Sequence, residues 1–429
     1  MIPWIKQHNI EILIFAAAFI IRASYALIVL LASGEHGFIA FSDAEYFYFA
    51  AARNLLYGHV FSIAAHAPLY PDAFHTPLYP MFVAVLLWLH LPLFGVVLVQ
   101  DAFAAITAVL IYRIAFLLSE SSAISIAAAA VSAIEPMSVY WSGLLMTDVF
   151  FAFWLTLSCY LLFRENAFLA GISLGLATLT RPIALYFFPV FAALLLYQLY
   201  KAGYLRRMML QHALLFLISF ALIVSPWFVR NKIVFDEWSL TSGGWYDLYM
   251  YPVSVFASQN NIPLSPVTID QDGDREFTRF SFAYTPYFKE KALSVIGKDR
   301  SAYAVFQIKR SLSSLFTNRY EYLLDVVVKS ELPSLYAYAG GVLAILLAAG
   351  ELFWIIVYAL MFAAVFDRKN LHWWLFFAAL VGINAAISGG INPGGTDMSR
   401  YSLCFYAFFF AFSGIGARII SQKMSQLRA

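Results

Sequence analysis

The stretch 10-IEILIFAAAFIIRASYALIVLLAS-33 carries only two charges, Glu11 and Arg22. About 20 predominantly apolar residues suffice to cross roughly 30 Å of hydrocarbon as a helix. The run is longer than the apolar core of a secretory leader, and no convincing small-residue cleavage motif follows it. It therefore reads as a retained first membrane helix. Similar runs recur at 94–118, 122–145, 149–163, 167–180, 183–200, 209–228, 340–366, 371–388 and 401–418. Together they predict an all-α polytopic membrane protein with about ten spans. Composition agrees: 12% of residues are charged, about half the usual share in soluble domains. The run 77-PLYPMFVAVLLWLHLP-92 is short and flanked by proline, which predicts a re-entrant or interfacial helix instead.

The distribution of charge predicts an orientation. With the N-terminus inside, the inner segments hold Lys6, Arg113, Arg164, Lys201, Arg206, Arg207, Arg368, Lys369, Arg418, Lys423 and Arg428. Few acids oppose them: Glu11, Glu120, Glu165 and Asp367. Such an excess of short-loop basic residues marks the cytoplasmic side. Three features then share the outer face: the loop 34–76, the long segment from Arg230 to Ala339, and 389-GGINPGGTDMSR-400. The expected organisation is a transmembrane core over 1–229, an extracytoplasmic segment over 230–339 and C-terminal transmembrane helices over 340–429. Within the segment, turn signals at 242-SGG-244, 263-PLSP-266 and 272-DGD-274 and an amphipathic run at 299–316 suggest a small folded lid. Cys159 and Cys404 lie in apolar runs and read as buried hydrophobes. No basic stripe exists, so nucleic acid is not an expected partner.

Four basic residues lie outside both the inner segments and the long outer one: Arg22 within the first span, and Arg53, Arg181 and Arg400 at the outer boundary. Asp43, Glu45, Asp148 and Asp397 fall at the same level. Charges at membrane depth are costly and face a cavity or a partner, so the set predicts a polar cavity opening outward. In 41-FSDAEYFYFAAARNLLYGH-59, Ser42 or Asp43 can cap the following helix. Asp43 can equally serve as a proton acceptor, and Glu45 suits the first turn of the helix. In 144-LLMTDVFFAFWL-155, Thr147 can cap a helix that has Asp148 in its first turn.

In 176-LATLTRPIALYFF-188, Arg181 precedes a proline break. It can be an interfacial anchor or part of an anion site, since a break exposes backbone that the bilayer tolerates only beside protein or water. The loop 66-HAPLYPDAFHTPLYP-80 holds His66, Asp72 and His75 without compact metal-ligand spacing, and His75 can donate to a phosphate. In 225-SPWFVRNKIVFDEWSLTSGGWYDLY-249, proline ends a span and Arg230 marks the interface. Aromatic anchoring accounts for Trp227 and Phe228, but not for the polar return Thr241-Ser242-Gly243-Gly244.

These pieces resemble the GT-C membrane glycosyltransferases, in particular the bacterial relatives of protein O-mannosyltransferases and of the transferases that add aminoarabinose to lipid A. The likeness runs in order through SDAEYFYFAAARNL, HTPLYPMFVAVL, SVYWSGLLMTDVFF, GISLGLATLTRPIAL, SPWFVRNKIVF followed by TSGG, and SRYSLCFYAFFFAF. It implies a transferase that moves a sugar from a polyprenyl-phosphate donor to an acceptor hydroxyl, a glycolipid or glycan of the cell envelope such as lipopolysaccharide. The site would face outward from a bacterial inner membrane. On this resemblance Asp43 matches the proposed catalytic acid-base position and Asp148 a second acidic position. His75, Arg181 and Arg400 would contact the donor phosphate, with histidine at position 75 a departure from the family's basic residue. Glu45, Tyr46 and Arg230 are the candidate substrate contacts. No nucleotide cofactor is expected, no metal ligand is assigned, and dependence on a divalent metal is left open. The rival reading is a secondary transporter using the intramembrane acids Asp101, Glu135 and Glu351.

Overall fold

The computed structural model describes residues 2–264, 281–315, 320, 333–389 and 400–428. Among them all regular secondary structure is helical, with no strand. Its main helices are α1 (Ile2–Ser33), α2 (Ala50–Gly58), α3 (Leu78–Trp88), α4 (Leu93–Ser119), α5 (Ser122–Ile134), α6 (Pro136–Ser142), α7 (Thr147–Phe163) and α8 (Ala167–Thr180). There follow α9 (Phe188–Lys201), α10 (Arg206–Phe235), α11 (Gly243–Leu248), α12 (Ser254–Gln259), α13 (Thr285–Ile296), α14 (Arg300–Leu315), α15 (Pro333–Ala363), α16 (Leu371–Asn384) and α17 (Tyr406–Arg428). Among the described residues seven helical segments are long and apolar enough to cross a membrane, or eight if the bent pair α5–α6 counts as one span. The protein is thus an all-α polytopic membrane protein.

The other two expected spans form as α7 and α8, helices of 17 and 14 residues, short of the usual crossing length of about 20. Helix α3 has 11 residues and reaches only about 16 Å at 1.5 Å per residue, so it is too short to span, as its sequence indicates. Helix α10 departs from expectation. The proline at 226 does not end it; Pro226 lies inside a helix that continues to Phe235. Tertiary bonds hold the extra turns: Asn231 donates to the carbonyls of Ser239 and Leu240 at 2.8 and 3.0 Å, and Arg230 to that of Asp72 at 2.8 Å. The expected domain boundary at 229/230 therefore falls within one helix. Beyond it, α11 to α14 gather a small core of their own around Tyr249, Val253, Phe256 and Phe288.

Side-chain bonds define one end of the bundle. Lys369 pairs with Glu120 at 2.6 Å, Arg418 donates to the Ser119 carbonyl at 2.7 Å and Asn370 to that of Leu118 at 2.8 Å. Arg113 pairs with Glu11 at 2.7 Å. Helix breaks are closed by polar side chains placed for that purpose. Chain direction changes by 52° between α5 and α6. Arg22, buried in α1, donates to the terminal carbonyls of Ser132 and Ala133 at 3.1 and 2.9 Å, and to the Ser138 hydroxyl at 2.7 Å. Glu135 caps α6 by accepting from the Ser138 N–H at 2.7 Å, and Tyr320 donates to its other oxygen at 3.0 Å. Glu35 likewise caps α4, accepting from the Leu93 and Phe94 N–H groups.

Between α8 and α10 the backbones approach through Gly171 and Gly175, one turn apart. A Cβ on Gly171 would lie 2.1 Å from the Ser219 hydroxyl and 2.5 Å from the Phe216 carbonyl oxygen; on Gly175 it would meet Ile223 at 2.8 Å. Small residues at this spacing let membrane helices pack by dispersion where no hydrophobic gain is available. Because α8 ends at Thr180, this seam also sets where Arg181 stands. Gly171→Leu should therefore lower stability by at least about 1–3 kcal/mol, the usual cost of overpacking. Gly382→Ala, whose Cβ meets nothing within 4 Å, should be neutral. Thermal midpoints of the detergent-solubilised variants check both.

Candidate active site

At the opposite end of the bundle, several helix ends surround a cavity of about 680 Å³. The loop between α1 and α2 contributes Asp43 and Tyr48, and the approach to α3 contributes His75. The α8–α9 break supplies Arg181, the end of α16 supplies Asn384, and the segment leading into α17 supplies Arg400 and Tyr401. Gly243, Gly244, Tyr246 and Asp247 of α11 line it as well. The polar return at 241–244, unexplained by interfacial anchoring, thus forms part of the wall. Gly243 permits a close approach there, since a Cβ would stand 3.0 Å from the Phe74 ring.

A buried ion network underlies the cavity. The Asp148 carboxylate, fully buried, lies 2.9 Å from Arg181 Nη2 and 3.3 Å from Arg400 Nε. Arg400 in turn reaches Asp43 Oδ2 through Nη1 at 3.1 Å. Arg181 also donates through Nε to the Thr147 hydroxyl at 3.0 Å. Both guanidinium groups stand over aromatic faces: Arg181 over Phe151 and Tyr401, Arg400 over Phe41, Trp141 and Tyr401. Such stacking stabilises cations away from water. The segment before α7 is held by Gln100, which donates to the carbonyls of Ser142 and Leu144 and accepts from the Tyr79 hydroxyl. This clamp fixes where Thr147 and Asp148 begin their helix.

His75 is positioned by Asp72, a buried residue three places earlier. One Asp72 oxygen accepts from the His75 N–H at 2.9 Å and lies 3.0 Å from Nδ1; the other accepts from the Phe74 N–H at 3.2 Å. Phe47 and Phe74 flank the imidazole at 4.6 and 5.0 Å between centroids. His66 is exposed and apart from this pair. Among the described residues no three His, Cys, Asp or Glu side chains could hold a metal ion together.

Of the eight expected site residues, the structure places Asp43, His75, Arg181 and Arg400 on the cavity wall. Asp148 is not on the wall; it is the buried counter-ion beneath. Glu45, Tyr46 and Arg230 do not line the cavity. Tyr46 is 62% exposed, and Arg230 is engaged with the Asp72 carbonyl and stacks on Trp227 and Phe235. Asp43 lines the cavity and Glu45, two residues on, does not. Asp43 and Thr147 do not cap their helices: Asp43 has helical backbone angles and makes no side-chain cap bond, and its carboxylate is turned to Arg400. Thr147 is the first residue of α7 rather than its cap, and its hydroxyl accepts from Arg181. Asp397 and the rest of 390–399 lie outside the described residues.

Asp247 escaped the sequence reading, although it is the one acid in the aromatic run 245-WYDLYMY-251. Burial pushes its carboxyl up to about 7, with His75 opposing the rise and Asp43 adding to it. No family model matches the chain, and comparison with curated proteins and with solved structures finds no match.

Two consequences can be measured. Asp148→Asn leaves two buried guanidinium groups short of a counter-charge and should cost about 3–5 kcal/mol. Asp43→Asn removes a carboxylate whose side chain is 30% exposed and should cost about 1 kcal/mol or less; thermal unfolding in detergent separates the two. Asp247, whose folded-state value is raised, binds its proton more tightly folded than unfolded. Its contribution to stability is therefore complete below pH 4 and is lost as pH rises towards 7. The midpoint of the native protein should fall relative to that of Asp247→Asn over this window.

Proposed function

We propose that this chain is a glycosyltransferase of GT-C type, moving a sugar from a polyprenyl-phosphate donor to an acceptor hydroxyl at the outer face of a bacterial inner membrane. The carrying observation is the convergence of Asp43, His75, Arg181 and Arg400 on one cavity at one end of an apolar helix bundle. A lipid-linked donor needs such a setting: apolar surface for its tail, and polar groups at the membrane boundary for its head. The opposite end carries the short-loop cations that mark a cytoplasmic side, which turns the cavity outward. In the same reading α7 and α8 are full crossings, bringing the total to ten.

The chemistry then follows from the groups present. The acceptor oxygen attacks the anomeric carbon as its bond to the phosphate oxygen breaks, inverting that centre. The acceptor proton passes to Asp43, and the polyprenyl phosphate departs with the bonding pair. Fixed cations and hydrogen-bond donors stabilise the charge growing on the leaving oxygen; Arg400 and Arg181 supply the charge, and His75 can donate a hydrogen bond. Asp148 keeps the two arginines in place without touching substrate. Asp247, facing the same cavity, is suited to bind a sugar hydroxyl.

Transport across the membrane finds less support. The intramembrane acids it would use do not line this cavity, and Glu135 is committed to capping α6 and accepting from Tyr320.

Positioned general bases contribute about 10²–10⁴ in rate. Asp43→Asn should therefore reduce transfer from a polyprenyl-phosphate sugar by that factor while leaving the fold intact. In cells, envelope glycans of a deletion strain should lose a sugar mass that wild-type protein restores and Asp43→Asn does not. Glycan masses unchanged by the deletion would remove the reading.

A further inference from the structure

A second concave site lies at the other end of the bundle, between α9 and α16. Its volume is about 450 Å³, within the ~300–1,000 Å³ range of small-ligand sites. Ala193 and Ala379, both small, leave the space open. Buried Leu194 and Phe376 form its floor, while Leu375 (55% exposed) and Tyr197 form an apolar rim. One end of this apolar trough is cationic. Lys201 closes α9, Arg368 stands just before α16, and His372 lies against the Tyr197 ring at 5.4 Å.

The two cations differ from several neighbours at this end of the bundle. Lys369 is paired with Glu120 and Arg113 with Glu11, and Arg418 donates to a helix-terminal carbonyl. Lys201 and Arg368 are exposed and have no carboxylate within ion-pair distance among the described residues. The nearest acid in sequence, Asp367, accepts from the Lys369 N–H and from Asn370 instead. A soluble anion would satisfy these charges but would have no use for the trough. An uncharged lipid tail would fill the trough but leave the charges unanswered.

We infer that this groove binds an anionic phospholipid of the inner leaflet, with an acyl chain along α9 and α16 and its phosphate between Lys201 and Arg368. The groove walls belong to two helices long and apolar enough to span, so lipid is what meets them. The charged end lies where the positive-inside rule puts the cytoplasm, the leaflet whose anionic headgroups attract basic residues at helix ends. This assignment does not depend on the chemistry at the other end.

The test uses the full chain in detergent, incubated with dioleoylphosphatidylglycerol or dioleoylphosphatidylcholine and examined by native mass spectrometry. The native protein should retain phosphatidylglycerol at least tenfold better than phosphatidylcholine. The double variant Lys201→Ala/Arg368→Ala should lose that preference, whereas Lys369→Ala, which removes a nearby charge outside the groove, should keep it. Ala193→Phe fills the trough with both cations in place and should also release the lipid. Equal retention of the two lipids, retention by either groove variant, or displacement by an equimolar polyprenyl phosphate would each overturn the assignment.

Discussion

The arrangement at the cavity depends on one buried carboxylate. Asp148 has no exposure, and two arginines from distant parts of the chain meet on it. A guanidinium group taken out of water needs a counter-charge, and removing one partner of a buried pair costs far more than the pair yields. Arg181 follows α8 and Arg400 precedes α17, so a single side chain in the first turn of α7 gathers three separated segments. Asp43, reached through Arg400, brings in a fourth. Aromatic faces from Phe41, Trp141, Phe151 and Tyr401 complete the enclosure of the two cations.

Arg22 and Glu135 answer a different problem. Where α5 gives way to α6, the helix ends leave carbonyl and N–H groups that hydrocarbon cannot satisfy. Arg22 covers the carbonyls and Glu135 the N–H group, so the two opposite charges also compensate each other's burial. An ionised residue in a span usually marks a pathway or a site, yet here its bonds point to architecture. The distinction between Arg22 and Arg400 rests on what each side chain touches.

That distinction shows what a sequence can carry. Spans were readable because hydrophobicity is a local property summed over a window: α1, α4, α9, α10, α16 and α17 all form where the apolar runs lie. The wall residues Asp43, His75, Arg181 and Arg400 were readable because charge is rare in such a chain and stands out at a boundary. Local rules failed where a distant partner decided the outcome. Capping preference assigns Asp43 to its own helix, but Arg400, hundreds of residues away, takes the carboxylate. Proline preference ends α10 at position 226, but the carbonyls of Asp72, Ser239 and Leu240 hold the next turns. Asp247 was hidden among aromatic anchors, because nothing local shows that Gly243 brings α11 against Phe74 and so over the cavity.

The network also bears on how the cavity would receive an anion. Among the described residues two aspartates answer two arginines, so this part of the cluster offers no idle positive charge. The two links to Arg400 are unequal, however. Its contact with Asp148 is buried, whereas Asp43 is partly exposed and therefore the cheaper partner to exchange. An incoming phosphate can take the place of Asp43 on Arg400 while Asp148 continues to hold the guanidinium. That exchange would leave the Asp43 carboxylate free of Arg400 and beside the newly bound group. On the proposed function, donor binding would itself prepare the base, and an empty cavity would keep Asp43 engaged.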